Sequence, residues 1–389
     1  YSFLRGVLMN SFLISRKCPM LFGRGTSNTA AAKMKEMGCR KVLIVCDEWL
    51  SEQPNFKDFI STFSDLELCV WNHVIPDPTD VSVEEGARVA INENIDGIIG
   101  IGGGSAMDSA KAINTLIHSS FPINQYFAEL GPDAKVPNPG VPMILIPTTS
   151  GTGADCSPST VISNTRLNNA KNNLFVSTGI PDLAIVDPDW AMTMPPKLTA
   201  SCGFDVFAHA VETISSSMWN PMSEAIALKC IDIVWTYLER AYANGQDVEA
   251  REYMHFAASA VAVAFSDSLI NLGHEIAHMI GAKYHIPHGD CCAIVTPACL
   301  KFLSGKLPTE MGRIANVIGV DSRADGLGDR LYEAVLSFRK RLGLKTAAEY
   351  GLDKDDFMSM ASRLGSPYFL SYKMTADDYR SILNDIISE

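Results

Sequence analysis

A chain of 389 residues exceeds what one ordinary core organises, so two domains are expected. A hydrophobic share of 47% with 20% charged residues excludes a disordered or fibrous chain. The formal charge of −12 argues against nucleic acid or an anionic membrane surface as partner.

The opening, residues 1–15 (YSFLRGVLMNSFLIS), holds apolar runs too short and interrupted to span a bilayer, with no clear cleavage site after them. It reads as an N-terminal strand with an extension. FGRG at 22–25 reads as a turn and little more. From about 40 to 187, short β-branched runs alternate with stretches of helical spacing. KVLIVC (41–46), DGIIGIG (96–102), MILIPTT (143–149) and LAIVD (183–187) read as buried parallel strands, with EEGARVAINENI and SAMDSAKAINTLIH as helices between them. This is the pattern of a doubly wound, mostly parallel α/β domain. After Pro195-Pro196 the texture changes to long amphipathic helices: EAIALKCIDIVWTYLERAY, EYMHFAASAVAVAF and RLYEAVLSFRKRLG. The chain therefore divides into an α/β domain, 1–190, and an all-α domain, 191–389, with the junction in the DPDWAMTMPP connection.

Two loops in the first half suit a dinucleotide. IGIGGGSAMDSAK (99–111) runs from strand through Gly102, Gly103 and Gly104 into a helix. Glycines there let backbone N–H groups approach a pyrophosphate, and Ser105 is placed to cap the helix. PTTSGTGAD (147–155) offers Thr148, Thr149, Ser150 and Thr152 after a second strand of the same sheet, where such sheets deliver ligands. Asp47 closes an early strand. It is either a ribose acceptor that repels a 2′-phosphate, favouring NAD over NADP, or a plain helix cap.

The second half concentrates imidazoles. Asp205 and His209 share a helix face in FDVFAH, and His274 and His278 repeat the spacing in GHEIAH. His288 follows in YHIPHG, where the chain can turn back. An aspartate with several histidines suits Fe²⁺ or Zn²⁺ better than Ca²⁺ or Mg²⁺. Glu212 is placed either to orient His209 or to face solvent, and Phe265 either to line an apolar pocket or to pack in the core.

Ten cysteines stand singly apart from Cys291-Cys292, without a C-x-x-C pair, a usage that fits a reducing cytoplasm. Cys46, Cys69, Cys230 and Cys299 lie in apolar runs as buried thiols, and the burial habit of free cysteine favours the same for Cys291 and Cys292 over soft ligation. His274-Glu275-Ile276-Ala277-His278 also matches the H-E-x-x-H of zinc proteases. The extended protease form fails, because Tyr284 stands at the third histidine position and His285 is one residue late.

Together, GGGSAMDSAK, PTTSGTGAD, FDVFAHAVE and HEIAHMIGAKYHIPHG resemble, in this order, the four motif blocks of the iron-containing (group III) alcohol dehydrogenase family, over about 20–305. The resemblance implies the dehydroquinate synthase-like fold of that family, with the active site in the cleft between domains. It implies Asp205, His209, His274 and His288 as metal ligands and His278 as the histidine beside nicotinamide and substrate. Asp47, Gly102, Gly103, Gly104, Ser105, Asp108, Thr148, Thr149, Thr152 and Lys171 fall where the family contacts NAD or supports its loops. The implied activity is NAD-dependent hydride transfer between a primary alcohol or diol and its aldehyde, with Fe²⁺ (or Zn²⁺) as Lewis acid on the substrate oxygen. His278 would relay the proton. A homo-oligomer, dimer or larger, is also implied.

The chain departs from the family pattern at Asp155, which replaces a glutamate, and at Asp77, in PDPT for PNPT, which weakens a ribose contact. The stretch SPYFLSYKMTADDY lacks the family's Asn-Pro-Arg element. The competing readings are the zinc protease and a dehydroquinate-synthase-like lyase. The lyase should carry a Lys/Arg-rich pocket, whereas Lys283 is the nearest base to the ligand segments.

Overall fold

Runs of β-branched residues without polar alternation need cover on both faces, and the fold supplies it. The computed structural model describes residues 12–15, 18–362, 364, 367 and 369–389. Its strands are β1 (Met20–Phe22), β2 (Lys41–Val45), β3 (Glu67–Trp71), β4 (Gly97–Gly102), β5 (Met143–Pro147), β6 (Ser159–Asn164), β7 (Ala170–Phe175) and β8 (Leu183–Val186). Six form one sheet in the order β1-β8-β5-β4-β2-β3, parallel throughout. Successive side chains alternate between two cores. Leu43, Val45, Ile98 and Leu145 point to one, and Val42, Ile44, Ile99 and Ile146 to the other.

Helices α1 (Ala30–Glu36), α2 (Glu48–Ser51), α3 (Pro54–Ser61), α4 (Asp80–Asn92) and α5 (Gly104–Leu116) accompany the sheet. The chain runs outward from β2 to β3, then crosses back to place β4 on the other side of β2. Strand order reverses between β2 and β4, which opens a crevice at their C-terminal ends.

From Pro196 onward the described chain is helical: α6 (Pro196–Ser215), α7 (Pro221–Ala243), α8 (Val248–Ser268), α9 (Leu272–Tyr284), α10 (His288–Lys306), α11 (Pro308–Val317), α12 (Leu327–Arg341), α13 (Lys354–Ser359) and α14 (Ala376–Ile387). α6 is buried nearly all round, so it is the axis on which the other helices pack. A turn at Leu269, whose φ is +59°, bends the chain by 110° between α8 and α9. Among the described residues no single helix is long and apolar enough to cross a membrane.

The fold class expected from the sequence is the one observed, with the four strand runs and the three long helices in place. The differences lie at the edges. The strand expected in residues 1–15 falls mostly on residues 1–11, outside the described residues; 12–15 carry no strand, and the edge strand is Met20–Phe22, opposite Ala184–Val186. The turn at 22–25 does more than turn. Its Gly25 N–H, with Ser27 N–H and hydroxyl, donates to the Asp187 carboxylate at 3.0, 3.0 and 2.6 Å, pinning the β8–α6 connection. The antiparallel ribbon β6–β7 lies outside the expected strand runs, because Asn and Lys dilute its apolar signal. Asn168 and Asn169 make its turn at φ of +53° and +59°.

Candidate metal centre and cofactor cleft

Strand β4 ends in Gly102 at φ +148°, a conformation that keeps side chains out, and α5 begins two residues later. A Cβ on Gly104 would stand 3.0 Å from Thr152 Cγ2, and one on Gly103 3.5 Å from Thr149 Cγ2. The glycine turn and the threonine loop thus face each other across a gap sized for backbone. Thr148 N–H donates to Gly102 O at 2.9 Å and closes one end. Ser105 does not cap α5: the N-cap is Gly103, without a side-chain acceptor, so the first amides of α5 are left for another anion.

Of the two readings of Asp47, the helix cap is the one observed. Oδ1 accepts from Leu50 N–H at 2.8 Å and caps α2, while Oδ2 lies 3.9 Å from where a Gly102 Cβ would sit, at the mouth of the crevice. Asp108 works from behind. It accepts from Val161 N–H at 3.1 Å, and burial pushes its carboxyl up to about 6 against the pull of Lys111. Lys111, fully buried, donates to Ser157 O and Ser159 O at 2.9 and 2.8 Å. Together they tie the β6–β7 ribbon to the glycine helix. Lys171, on β7, pairs with Asp77 at 2.6 Å. The departure at Asp77 therefore has a partner within the chain.

The metal candidates come from three helices. Asp205, His209 and Glu212 stand at i, i+4 and i+7 on α6, His274 on α9, and His288 is the first residue of α10. Gly289 sets the approach of α10. A Cβ there would be 2.1 Å from Ser201 O of α6, so only glycine lets the two helices meet and turns His288 toward Asp205. From Asp205 Oδ1 it is 3.4 Å to His274 Nε2, 3.5 Å to His288 Nε2 and 3.8 Å to His209 Nδ1. Glu212 accepts from His274 N–H at 2.8 Å and from its ring Nδ1 at 2.7 Å, leaving Nε2 free to ligate. It orients His274, not its helix neighbour His209.

Burial alone would raise the Asp205 carboxyl. The imidazoles of His209, His288 and His274 outweigh it and hold the group well below the usual carboxylate range. Burial pushes His209 and His288 down to about 4, so both rings are neutral at pH 7. His274 is the exception: burial opposes its charge, but Glu212, Cys292 and Asp205 prevail and lift it well above the ordinary histidine value. His209 is 5% exposed, stacks between Phe265 and His274, and has no hydrogen-bond partner at Nδ1. An orphaned buried nitrogen beside an ionised carboxylate and two further imidazoles fits a divalent cation. The two-loop gap, which a Cβ would fill, likewise fits a pyrophosphate.

The two halves of the chain match family models described as iron-containing alcohol dehydrogenase, over residues 19–188, and as its C-terminal region, over 199–380. The chain belongs to the iron-containing alcohol dehydrogenase family. It is similar to the NAD-dependent methanol dehydrogenase of Bacillus methanolicus, at 31% identity over 88% of this chain and 90% of that protein. Alcohol dehydrogenase 4 of Schizosaccharomyces pombe shares 33% identity over 87% of this chain and 79% of its own length. Among solved structures, an alcohol dehydrogenase from Oenococcus oeni superposes with a TM-score of 0.89 at 26% identity, covering 97% of this chain and all of that one. Family membership makes the protein an oxidoreductase acting on small alcohols and aldehydes, with NAD(H) and a divalent metal, usually iron.

For an iron-containing alcohol dehydrogenase, the H-E-x-x-H match is incidental, and neither rival reading has support among the relatives. A zinc protease needs both histidines as ligands and a free glutamate as base. His274 converges instead with Asp205 and His288, and Glu275 accepts from Tyr379 Oη at 2.7 Å. His278 stays outside that group, half-buried, its ring 5.1 Å from that of His288 and 6.0 Å from that of His274. Burial, with His288, His274 and Lys171, holds His278 well below the ordinary histidine value. Phe265 is buried against His209, the packing alternative of the two expected for it. The adjacent cysteines part company. Cys291 points to Ile286 O, while Cys292 enters the cluster of Asp205, His274 and His288, contrary to the expectation of two plain core thiols. Cys69 is only partly buried, whereas Cys46, Cys230 and Cys299 are buried as expected.

Proposed function

We propose that the protein interconverts a small primary alcohol or diol and its aldehyde, with NAD in preference to NADP and with Fe²⁺ or Zn²⁺ held by Asp205, His209, His274 and His288. The observation that carries the reading is a contact. The threonine loop lies on α6, where a Cβ on Gly151 would be 2.9 Å from Cys202 Cβ, one turn before Asp205. That contact supports a reading in which the cofactor gap, from residues 1–190, and the imidazole cluster, from residues 191–389, share one cleft.

When bound, the ion supplies Lewis-acid polarisation of the substrate oxygen and NAD supplies the hydride acceptor. The chain does the rest. Gly103, Gly104, Thr149 and Thr152 shape the pyrophosphate gap, with Gly102, Ser105, Asp108 and Thr148 fixing its walls. Asp47 accepts from ribose hydroxyls and repels a 2′-phosphate. Glu212 fixes the ring of His274. His278, neutral and half-buried at the edge of the cluster, accepts the proton given up by the alcohol and passes it to solvent. Lys171, held by Asp77, adds positive charge near the imidazoles of His278 and His288.

The formal charge of −12 supports a small-molecule partner over nucleic acid or an anionic membrane. Ten free cysteines support a reducing, cytoplasmic setting. The family resemblance supports a homo-oligomer. The test is to load the protein with Fe²⁺ or Zn²⁺ under anaerobic conditions and follow NADH absorbance with butanol or propanediol and NAD. Metal-dependent NADH formation, lost in His274→Ala, is expected. Bound NAD without turnover by any metal would refute the reading.

A further inference from the structure

Cys292 is fully buried, and its sulfur faces three of the groups expected to hold the ion. The Sγ lies 3.5 Å from Asp205 Oδ1, 3.7 Å from His288 Nε2 and 3.9 Å from His274 Nε2. The donor atoms of these four residues all fall within 4.8 Å of one another. We propose that the Cys292 sulfur is a ligand of the bound metal, making this a mixed thiolate, imidazole and carboxylate centre.

The distances support it. For bonds of about 2.1 Å to nitrogen or oxygen and about 2.3 Å to sulfur, the corners of a tetrahedron stand about 3.4 Å apart, or about 3.6 Å where one corner is sulfur. Asp205 lies 3.4 and 3.5 Å from the two imidazole nitrogens, and the sulfur lies 3.5–3.9 Å from all three, within the range of donors that can share one ion. His209, buried and unpartnered at Nδ1 and 3.8 Å from Asp205 Oδ1, keeps its place among the ligands, and the Cys292 sulfur joins them as a further donor. The sulfur would bind as thiolate, its proton leaving to solvent as the ion arrives. A soft donor shifts preference toward Zn²⁺ and Co²⁺ and away from Mn²⁺ and Mg²⁺.

The inference rests on the metal reading above, and the experiment separates the two. The holoprotein is prepared with Co²⁺ and its near-ultraviolet spectrum recorded beside Cys292→Ser and Cys291→Ser. A thiolate-to-cobalt charge-transfer band is expected, lost in Cys292→Ser and kept in Cys291→Ser, whose sulfur points to Ile286 O. X-ray absorption at the zinc edge of the unmutated protein should show one sulfur at about 2.3 Å, a readout that does not depend on a variant folding. Cobalt bound with visible ligand-field bands but no sulfur signature would overturn the proposal and leave the metal reading intact. Failure to bind Co²⁺ or Zn²⁺ at all would overturn both.

Discussion

Glu212 grips His274 twice, through the backbone N–H at 2.8 Å and ring Nδ1 at 2.7 Å, and it also accepts from Asn271 N–H ahead of α9. The grip needs Gly273, where a Cβ would stand 2.6 Å from Glu212 Oε1. One carboxylate on α6 thus sets both the start of α9 and the tautomer of His274. Replacing Glu212 with Gln keeps an acceptor and removes the charge. Metal affinity should fall about 10–100-fold, read by competition with a chromophoric chelator. Glu212→Ala should in addition lower the denaturant midpoint, because buried N–H groups lose their acceptor at about 1–3 kcal/mol each.

Replacing His278 would separate the proposed proton transfer from metal binding. Its ring is adjacent to the cluster but outside the converging donors, so His278→Ala should leave metal content unchanged by elemental analysis. Steady-state kcat should drop by at least about 10²-fold, the usual reach of a positioned acid or base. Loss of metal together with activity would make His278 a ligand instead.

One substitution can divide the helix cap made by Asp47 from the ribose contact proposed for it. Asn retains an oxygen to cap α2, where Leu50 N–H donates at 2.8 Å, but carries no charge. Asp47→Asn should shift the ratio of kcat/KM for NAD over NADP toward NADP by about tenfold, equal to about 1.4 kcal/mol. An unchanged ratio would reduce Asp47 to a cap.

Behind the threonine loop, His255 is fully buried, its Nδ1 3.0 Å from Ser150 Oγ. Burial holds it down at about 4 against an ordinary 6.5, so the unfolded chain binds the proton more readily. As pH falls from about 6.5 toward 4, the folded state loses stability, by about 2 kcal/mol at pH 5 for this group alone. Urea midpoints at pH 7 and pH 5 should converge in His255→Gln relative to the unmodified protein.

What the sequence disclosed was whatever is local and repeated. The runs at 41–46, 96–102, 143–149 and 183–187 carried their burial in their own composition, and the spacing of Asp205, His209, His274, His278 and His288 pointed to a metal, while the choice of ligands among them came from the family resemblance. What it withheld depended on partners distant in the chain. Glu212 has the same spacing to His209 as any helix neighbour, and only the fold brings His274, 62 residues away, onto its carboxylate. Cys291 and Cys292 are indistinguishable as text, but neighbouring helical positions diverge by about 100° around the axis, so only one can face Asp205. The sheet edges were hidden for another reason. Three residues of β1 and the Asn-rich β7 are too short or too polar to register.

Gly289 against Ser201 has a last consequence. α6, α9 and α10 are locked to one another by protein contacts, a helix start wedged on a carbonyl at one point and a carboxylate clasp at another. Where a scaffold is cross-braced in this way, the ion has little folding work left to do, unlike the small domains that collapse when stripped. Prolonged treatment with a strong chelator should therefore silence the enzyme yet leave its far-ultraviolet circular dichroism intact, and adding the ion back should restore turnover without a refolding lag.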